Sequence, residues 1–356
     1  MKILDKVAEM YYHNKAMFGI ILAGGKGERF WPKSTVKRPK QILPITSAKP
    51  LLIETIDRLT QVIPRERIII VTGKDIEPFL RKLVPDIKLL TEPFGRNTAC
   101  AIAYAALNIP QDATMAVFPA DHWIPENKPF IEALKQSVAF AKKGYLVTFG
   151  IVPTRAETGY GYIETDRNLD DVVYSVKSFK EKPNQKQAQD FLRKKKFLWN
   201  SGIFVWSNKN ILSAFQTYMP DFYELLMKFR NKKISLLELY KKVSNISIDY
   251  AVMEKAEKVA VIKANFPWDD VGSWLALERV YTPDKLRNIK IGLTKGLSTN
   301  NCIIVSDKGL VATLGVSNLV VVKSGDAVLV CDKNSIDDIK QLVHSLADNS
   351  NLKKYL

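Results

Sequence analysis

Short apolar runs alternate with amphipathic stretches through the first 150 residues of the chain. The runs at 18–22, 67–72, 87–91, 115–119 and 145–151 are rich in β-branched residues and predict strands. Between them, 51–61, 76–84, 98–107 and 129–142 carry apolar residues at helical spacing and predict helices. Strands that are apolar throughout and separated by helices imply an α/β fold with a mostly parallel sheet covered on both faces. Ligands of such sheets sit beyond the carboxyl ends of the strands, so the residues just after each strand should carry the chemistry.

From 154 to about 280 the pattern loosens. The segment Gly159-Tyr160-Gly161-Tyr162 precedes one strand, 172–179 reads as another, and helices follow through 250–258, so this stretch reads as an insertion completing a pocket over the sheet. Beyond Pro283 short strands at 302–305, 310–313, 319–322 and 328–331 recur at near-regular spacing, with turn residues at 307–309 and 324–326. They predict a small all-β unit, either a sandwich fragment or a few coils of a β-solenoid, closed by a helix at 336–346. The expected division is an N-terminal extension at 1–16, an α/β domain at 17–283 and a β unit with terminal helix at 284–356. The β unit suits packing or the contact of a homodimer.

A chain of 356 residues, 46% hydrophobic, can bury a large core. No apolar run reaches the ~20 residues of a membrane span. The start, MKILDKVAEMYYHNK, lacks the uninterrupted apolar segment of a signal peptide, so a cytoplasmic protein with no membrane partner is expected. Cys100, Cys302 and Cys331 lack CxxC spacing and read as buried free thiols. Three histidines cannot build an ordinary zinc site unaided. The excess of 53 basic over 37 acidic residues favours anionic partners, either nucleic acid or phosphorylated small molecules. The cations form no stripe interleaved with aromatics, which argues against nucleic acid.

The segment Leu22-Ala23-Gly24-Gly25-Lys26-Gly27-Glu28-Arg29-Phe30 directly follows the first strand. Gly24, Gly25 and Gly27 let the backbone approach a ligand, and consecutive N–H groups can cradle phosphate oxygens. A phosphate loop of the Gly-Lys-Ser/Thr kind is excluded because Gly27 follows Lys26. A dinucleotide fingerprint is excluded because Phe30 stands where its third glycine would be. Arg29 and, a little further on, Lys40 supply fixed positive charge of the kind a triphosphate and a departing pyrophosphate need. The plainer alternative is a tight turn with solvated cations.

Residues 22–41 resemble the signature of sugar-phosphate nucleotidyltransferases, and Phe30-Trp31-Pro32 is most similar to the form found in mannose-1-phosphate guanylyltransferases. The resemblance implies a Rossmann-like nucleotidyltransferase domain with a mixed, mostly parallel sheet, Mg²⁺ dependence, GTP and mannose 1-phosphate as substrates, and GDP-mannose as product. Further segments match in order. Glu92-Pro93, with Asn97 and Thr98, follows the third strand; a Glu92 carboxylate could accept from both N1–H and the 2-amino group of guanine, a pair adenine lacks. Asn97 could instead simply cap the helix it opens. Asp121, after the fourth strand, suits a metal held against triphosphate oxygens. In Trp268-Asp269-Asp270 the resemblance makes Asp270 the second ligand, the alternative being that one aspartate caps a helix near Ser273. The resemblance further assigns Tyr160, Gly161, Glu181, Lys182, Asn200 and Gly202 to the sugar phosphate: Glu181 and Asn200 for hydroxyls, Lys182 for the 1-phosphate.

The expected reaction is in-line attack by the sugar-phosphate oxygen on the α-phosphorus. The nucleophile is already an anion, so positioning and charge neutralisation carry the catalysis. A transferase for another base or sugar, or a silent nucleotide-binding subunit, are the alternatives. Some relatives carry a downstream phosphomannose isomerase domain; with so few histidines in this sequence, isomerase activity is not expected.

Overall fold

The computed structural model describes residues 17–25 and 27–356, so the extension read at 1–16 and Lys26 lie outside the described residues. Strands β1 (Met17–Leu22), β2 (Ile68–Gly73), β3 (Lys88–Glu92), β4 (Thr114–Pro119) and β5 (Leu146–Ile151) form where the apolar runs stand. Helices α1 (Leu51–Leu59), α2 (Glu77–Leu83), α3 (Asn97–Ala106) and α4 (Asn127–Lys142) connect them. Then come β6 (Tyr162–Asp170), β7 (Val173–Lys180), α5 (Gln185–Lys194), β8 (Phe197–Ser207), α6 (Asn208–Tyr218), α7 (Pro220–Arg230), α8 (Leu236–Lys242) and β9 (Val259–Lys263).

The nine strands form one mixed sheet in the order β3-β2-β1-β4-β8-β5-β9-β7-β6. β3, β2, β1 and β4 run parallel, and β8 lies antiparallel between β4 and β5. Successive residues of β1 enter opposite cores: Ile21 packs below with Phe118 and Phe130, Ile20 above with Met115 and Trp206. Burial on both faces is why these strands read as unbroken apolar runs. Each such side chain taken from water contributes on the order of 2 kcal/mol.

Two strands of this sheet differ from the sequence reading. β8 escapes the pattern because Asn200, Ser201 and Gly202 interrupt its apolar residues. The helix expected through 250–258 is a single wide turn, Asp249–Met253, after which the five-residue β9 begins. β9 is inserted between β5 and β7, where long-range pairing decides its conformation.

Beyond α9 (Leu277–Val280), strands β10 (Ile289–Ile291), β12 (Ile303–Ser306) and β14 (Leu319–Ser324) stack in parallel, with Ile289 beside Ile303 and Ile303 beside Val320. β11 (Thr294–Leu297) pairs in parallel with β13 (Val311–Leu314). Two parallel ladders alternating along the chain are coils of a solenoid, which decides between the two readings of this unit. β15 (Ala327–Asp332) turns back antiparallel on β14, and α10 (Ile339–Leu346) follows. β10 and β11 are too short and too polar to stand out in the sequence.

The solenoid packs on the segment after β1. Phe30, Trp31, Leu43 and Trp274 share one apolar core with Ile303, Val305, Val320 and Ile339. Trp31 Nε1 donates to Tyr355 O at 2.9 Å, and the buried Lys33 pairs with Asp307 at 2.8 Å. All three cysteines are free thiols; Cys100 and Cys302 are buried, whereas Cys331, on the edge strand β15, is only half-buried. No helix among the described residues is long and apolar enough to cross a membrane.

Candidate active site

The glycine-rich segment leaves β1 at the carboxyl edge of the sheet. Its start is fixed from three sides: Ala23 N donates to Val71 O at 2.8 Å, and Ala23 O accepts from Gln41 Nε2 and Thr72 Oγ1, each at 3.0 Å. Gly24 and Gly25 are exposed where the chain passes the cavity. Gly27 has φ of 69°, and a Cβ there would stand 2.3 Å from Lys40 Cβ. Only glycine lets Lys40 come so close.

Lys40 draws two distant carboxylate residues together. Its Nζ lies 2.7 Å from Asp121 Oδ2 and donates to the main-chain oxygen of Asp270 at 2.9 Å. Burial works against the charge on Asp121, but the Lys40 ammonium and His122 outweigh it and hold the carboxyl below its ordinary range. Asp270 Oδ1 accepts from the Tyr160 hydroxyl at 2.5 Å. Asp269, its neighbour, is buried, ion-paired with Arg279, and accepts from Val271 N at 2.8 Å. Neither aspartate caps the turn at Ser273, whose start has no side-chain cap. No group of three or more His, Cys, Asp and Glu suited to a metal occurs among the described residues, and Lys40 is what links the Asp121 carboxylate to the Asp270 main chain.

At the end of β3, Glu92 is buried and its Oε1 accepts from the Tyr240 hydroxyl at 3.1 Å. Burial pushes its carboxyl up to about 7. Asn97 is no helix cap: Arg96 holds that position without a side-chain cap, and Asn97 itself has φ of 66° with Oδ1 accepting from Thr98 N. Thr98 Oγ1 instead accepts from Ile248 N at 2.9 Å, tying α3 to the insertion.

The insertion supplies the opposite wall. Asn200 is held at both ends of its amide: Thr148 Oγ1 donates to Oδ1 at 3.0 Å, and Nδ2 donates to Asp249 Oδ1 at 2.9 Å. Glu181 N donates to Glu254 Oε1 at 3.0 Å. Burial first, then the nearby Asp249, pushes the Glu181 carboxyl up to about 7. A Cβ at Gly161 would meet Glu181 Oε2 at 2.3 Å and so displace that carboxylate, whereas Gly202 has φ of 71°, a conformation that favours glycine.

These elements enclose a cavity of about 760 Å³. Leu22, Gly24, Gly25, Glu92, Pro93, Asn97 and Thr98 line one end; Tyr160, Gly161, Glu181, Asn200 and Gly202 line the other, and Asp270 also belongs to the lining. Ala23, Gly27, Lys40 and Asp121 stand just outside the lining. Arg29 is exposed on the short turn Glu28–Phe30, and Lys182 is exposed and pairs with Glu181 at 3.4 Å. Sequence reasoning missed Tyr240, Thr148 and Arg279, each on a segment with no motif of its own. His122, given no role, lines the cavity and accepts from Trp268 Nε1 at 3.1 Å.

A glycine loop, a buried carboxylate and two aspartates drawn to one lysine at the carboxyl rim of such a sheet define a nucleotidyl transferase. Residues 18–285 match the nucleotidyl transferase family, and 295–346 match the MannoseP isomerase/GMP-like beta-helix domain. The chain is 38% identical over 351 residues to a mannose-1-phosphate guanylyltransferase of Salmonella muenchen, covering 93% of this chain and 73% of that one. It is 36% identical to one from Escherichia coli, covering 92% and 75%. A Thermus thermophilus structure described as a mannose-1-phosphate geranyltransferase superposes with a TM-score of 0.88 at 38% identity, covering 93% of this chain and 99% of that one. The chain belongs to the mannose-1-phosphate guanylyltransferase family.

Proposed function

We propose that the cavity binds GTP at its Glu92 end and mannose 1-phosphate at its Glu181–Asn200 end, and joins them as GDP-mannose with release of pyrophosphate. The observation that carries this reading is the convergence of Asp121 and Asp270 on Lys40 beside the glycine loop, at the border of the cavity that Asp270 lines. The names of the relatives support the same substrates. Leu22, Ala23, Gly24, Gly25 and Gly27 would follow the triphosphate, and Arg29 and Lys40 would offset the charge that moves onto pyrophosphate. The sugar-phosphate oxygen forms the new bond to the α-phosphorus as the bond to the bridging oxygen of pyrophosphate breaks. No general base is needed, because the attacking oxygen is ionised.

Asp121 and Asp270 offer hard oxygen ligands, and Asp121 is held in its charged form, so the pair fits Mg²⁺. Bound there, the ion would neutralise charge on the triphosphate. A cytoplasmic setting suits free thiols and phosphorylated substrates.

The test is incubation of purified protein with Mg²⁺, GTP and mannose 1-phosphate, followed by identification of the nucleotide sugar, with the other NTPs and glucose 1-phosphate as competitors. GDP-mannose formed in preference to all others is expected. Preferential use of another base or sugar would overturn the assignment.

A further inference from the structure

The Glu92 end of the cavity depends on a side chain that no motif contains. Tyr240, on α8, is fully buried and lies 148 residues from Glu92 in the chain. Its hydroxyl makes the one hydrogen bond to the Glu92 side chain among the described residues. The phenol is held tightly. Phe94 and Tyr104 pack edge-to-face on it with centroids 6.0 and 6.3 Å away, and Arg96 Nε donates to Tyr240 O at 2.7 Å. The helix beneath begins with a reciprocal cap between Ser235 and Glu238.

Phenylalanine would fill this core position equally well. What the hydroxyl adds is a fixed donor to Glu92 Oε1, while Oε2 lies on the cavity side, 3.9 Å from where a Cβ at Gly24 would stand. A carboxylate anchored at one oxygen cannot roll freely.

We infer that Tyr240 is the positioning residue for base selection: its hydroxyl sets the roll of the Glu92 carboxylate so that it meets the paired N1–H and 2-amino donors of guanine. This rests on the reading of Glu92 as the base-recognising carboxylate. Burial alone drives the Glu92 carboxyl towards its neutral form, and the phenol works against that, in favour of the acceptor form guanine requires. The Cys100 thiol faces the same hydroxyl but is itself pushed up to about 12 by burial, so it offers no competing charge.

The test compares Tyr240→Phe, Glu92→Gln and the double variant, with GTP and with inosine triphosphate, which lacks the 2-amino group. Steady-state kinetics at saturating mannose 1-phosphate and calorimetric nucleotide binding are both read. Tyr240→Phe should raise the KM and Kd for GTP roughly 10-fold, the loss expected for one hydrogen bond to a charged group. The kcat should change less than about twofold, and inosine triphosphate, which keeps N1–H but lacks the second donor, should be weakened less than GTP, so the preference for GTP shrinks. A role in packing alone would weaken both nucleotides alike. In the double variant the preference should equal that of Glu92→Gln, because Tyr240 acts through that carboxylate. If Tyr240→Phe keeps the wild-type preference while Glu92→Gln abolishes it, the inference fails and the reading of Glu92 stands. If Glu92→Gln keeps the preference, the reading of Glu92 falls, and the inference with it.

Discussion

Gly27→Ala should damage turnover far more than it damages the fold. Gly27 sits at φ 69°, where a Cβ costs roughly 1–2 kcal/mol through contact with its own backbone. A second and larger effect comes from its neighbours. The added carbon would lie 2.3 Å from Lys40 Cβ, 3.0 Å from Ser34 Oγ and 3.1 Å from Lys40 N. Carbons settle about 3.5–4.0 Å apart, so Lys40 must withdraw by about an ångström. It cannot do so without drawing its ammonium away from Asp121, now at 2.7 Å, and from the Asp270 carbonyl, at 2.9 Å. A misplacement of about 1 Å at a reacting centre can cost about 100-fold in rate, and that is the expected loss in kcat. Gly315→Ala is the control. Gly315 has φ of 64° with nothing within 4 Å of an added methyl, so it bears the backbone cost alone. Pyrophosphate release and thermal unfolding are measured on both variants. If Gly27→Ala turns over within about twofold of wild type, and melts no lower than Gly315→Ala, the proposed placement of Lys40 by glycine is wrong.

Glu92 and Glu181, both pushed up to about 7, predict a pH response of defined sign. An acid whose pKa is raised on folding holds its proton longer in the folded state, so its stabilising contribution is present below the ordinary value of 4.5 and is lost as pH rises to about 7. Melting curves from pH 4.5 to 8 should show that loss, and Glu92→Gln with Glu181→Gln should flatten it, whereas kcat/KM for GTP should rise through the same upper range as Glu92 ionises. Asp270→Asn and Arg29→Ala should each lower kcat on the order of 100-fold with an unchanged circular dichroism spectrum, and a chelator should abolish turnover of the wild type; near-normal turnover in either variant removes that residue from the mechanism. Asp307→Ala strips the buried Lys33 of its partner at 2.8 Å and should cost roughly 1–3 kcal/mol, read as a lower Tm and as a reduced kcat. A Tm unchanged by that substitution would deny the solenoid its bracing role.

The parts of this site that could be read from sequence are those whose chemistry is local. A glycine needed for close approach, as at Gly27, leaves its mark in the residues beside it. So does a carboxylate at a strand end, as at Glu92 or Asp121. The strands β1 to β5 were legible for a related reason, because burial on both faces writes an unbroken apolar run. Tyr240, Thr148 and Arg279 left no such mark. Each acts through a partner remote in the chain, and a lone tyrosine on a capped amphipathic helix is indistinguishable from core. The same reasoning explains β8: its centre is built from Asn200, Ser201 and Gly202 because it lines the cavity, and the polar residues that make it functional conceal it as a strand.

The sheet alone does not hold the glycine loop in place. β1 fixes the segment only as far as Ala23, whose backbone bonds to β2, while Lys40 stands 17 residues further on, beyond two short turns. Between those points the chain is anchored mainly from outside the sheet. Phe30 and Trp31 are buried against Trp274 and the solenoid strands, the Trp31 indole reaches the chain's far end at Tyr355, and Asp307 pairs with both Lys33 and Arg38. Trp274 follows Asp270 by four residues and donates from its indole to Trp31 O at 3.1 Å. The same apolar core therefore fixes the stretch leading to Lys40 and the segment bearing Asp270. That shared anchorage is what lets the Asp121 carboxylate and the Asp270 main-chain oxygen, remote from each other in the chain, meet one ammonium, and it makes the solenoid part of the site's scaffold as well as a neighbour to it.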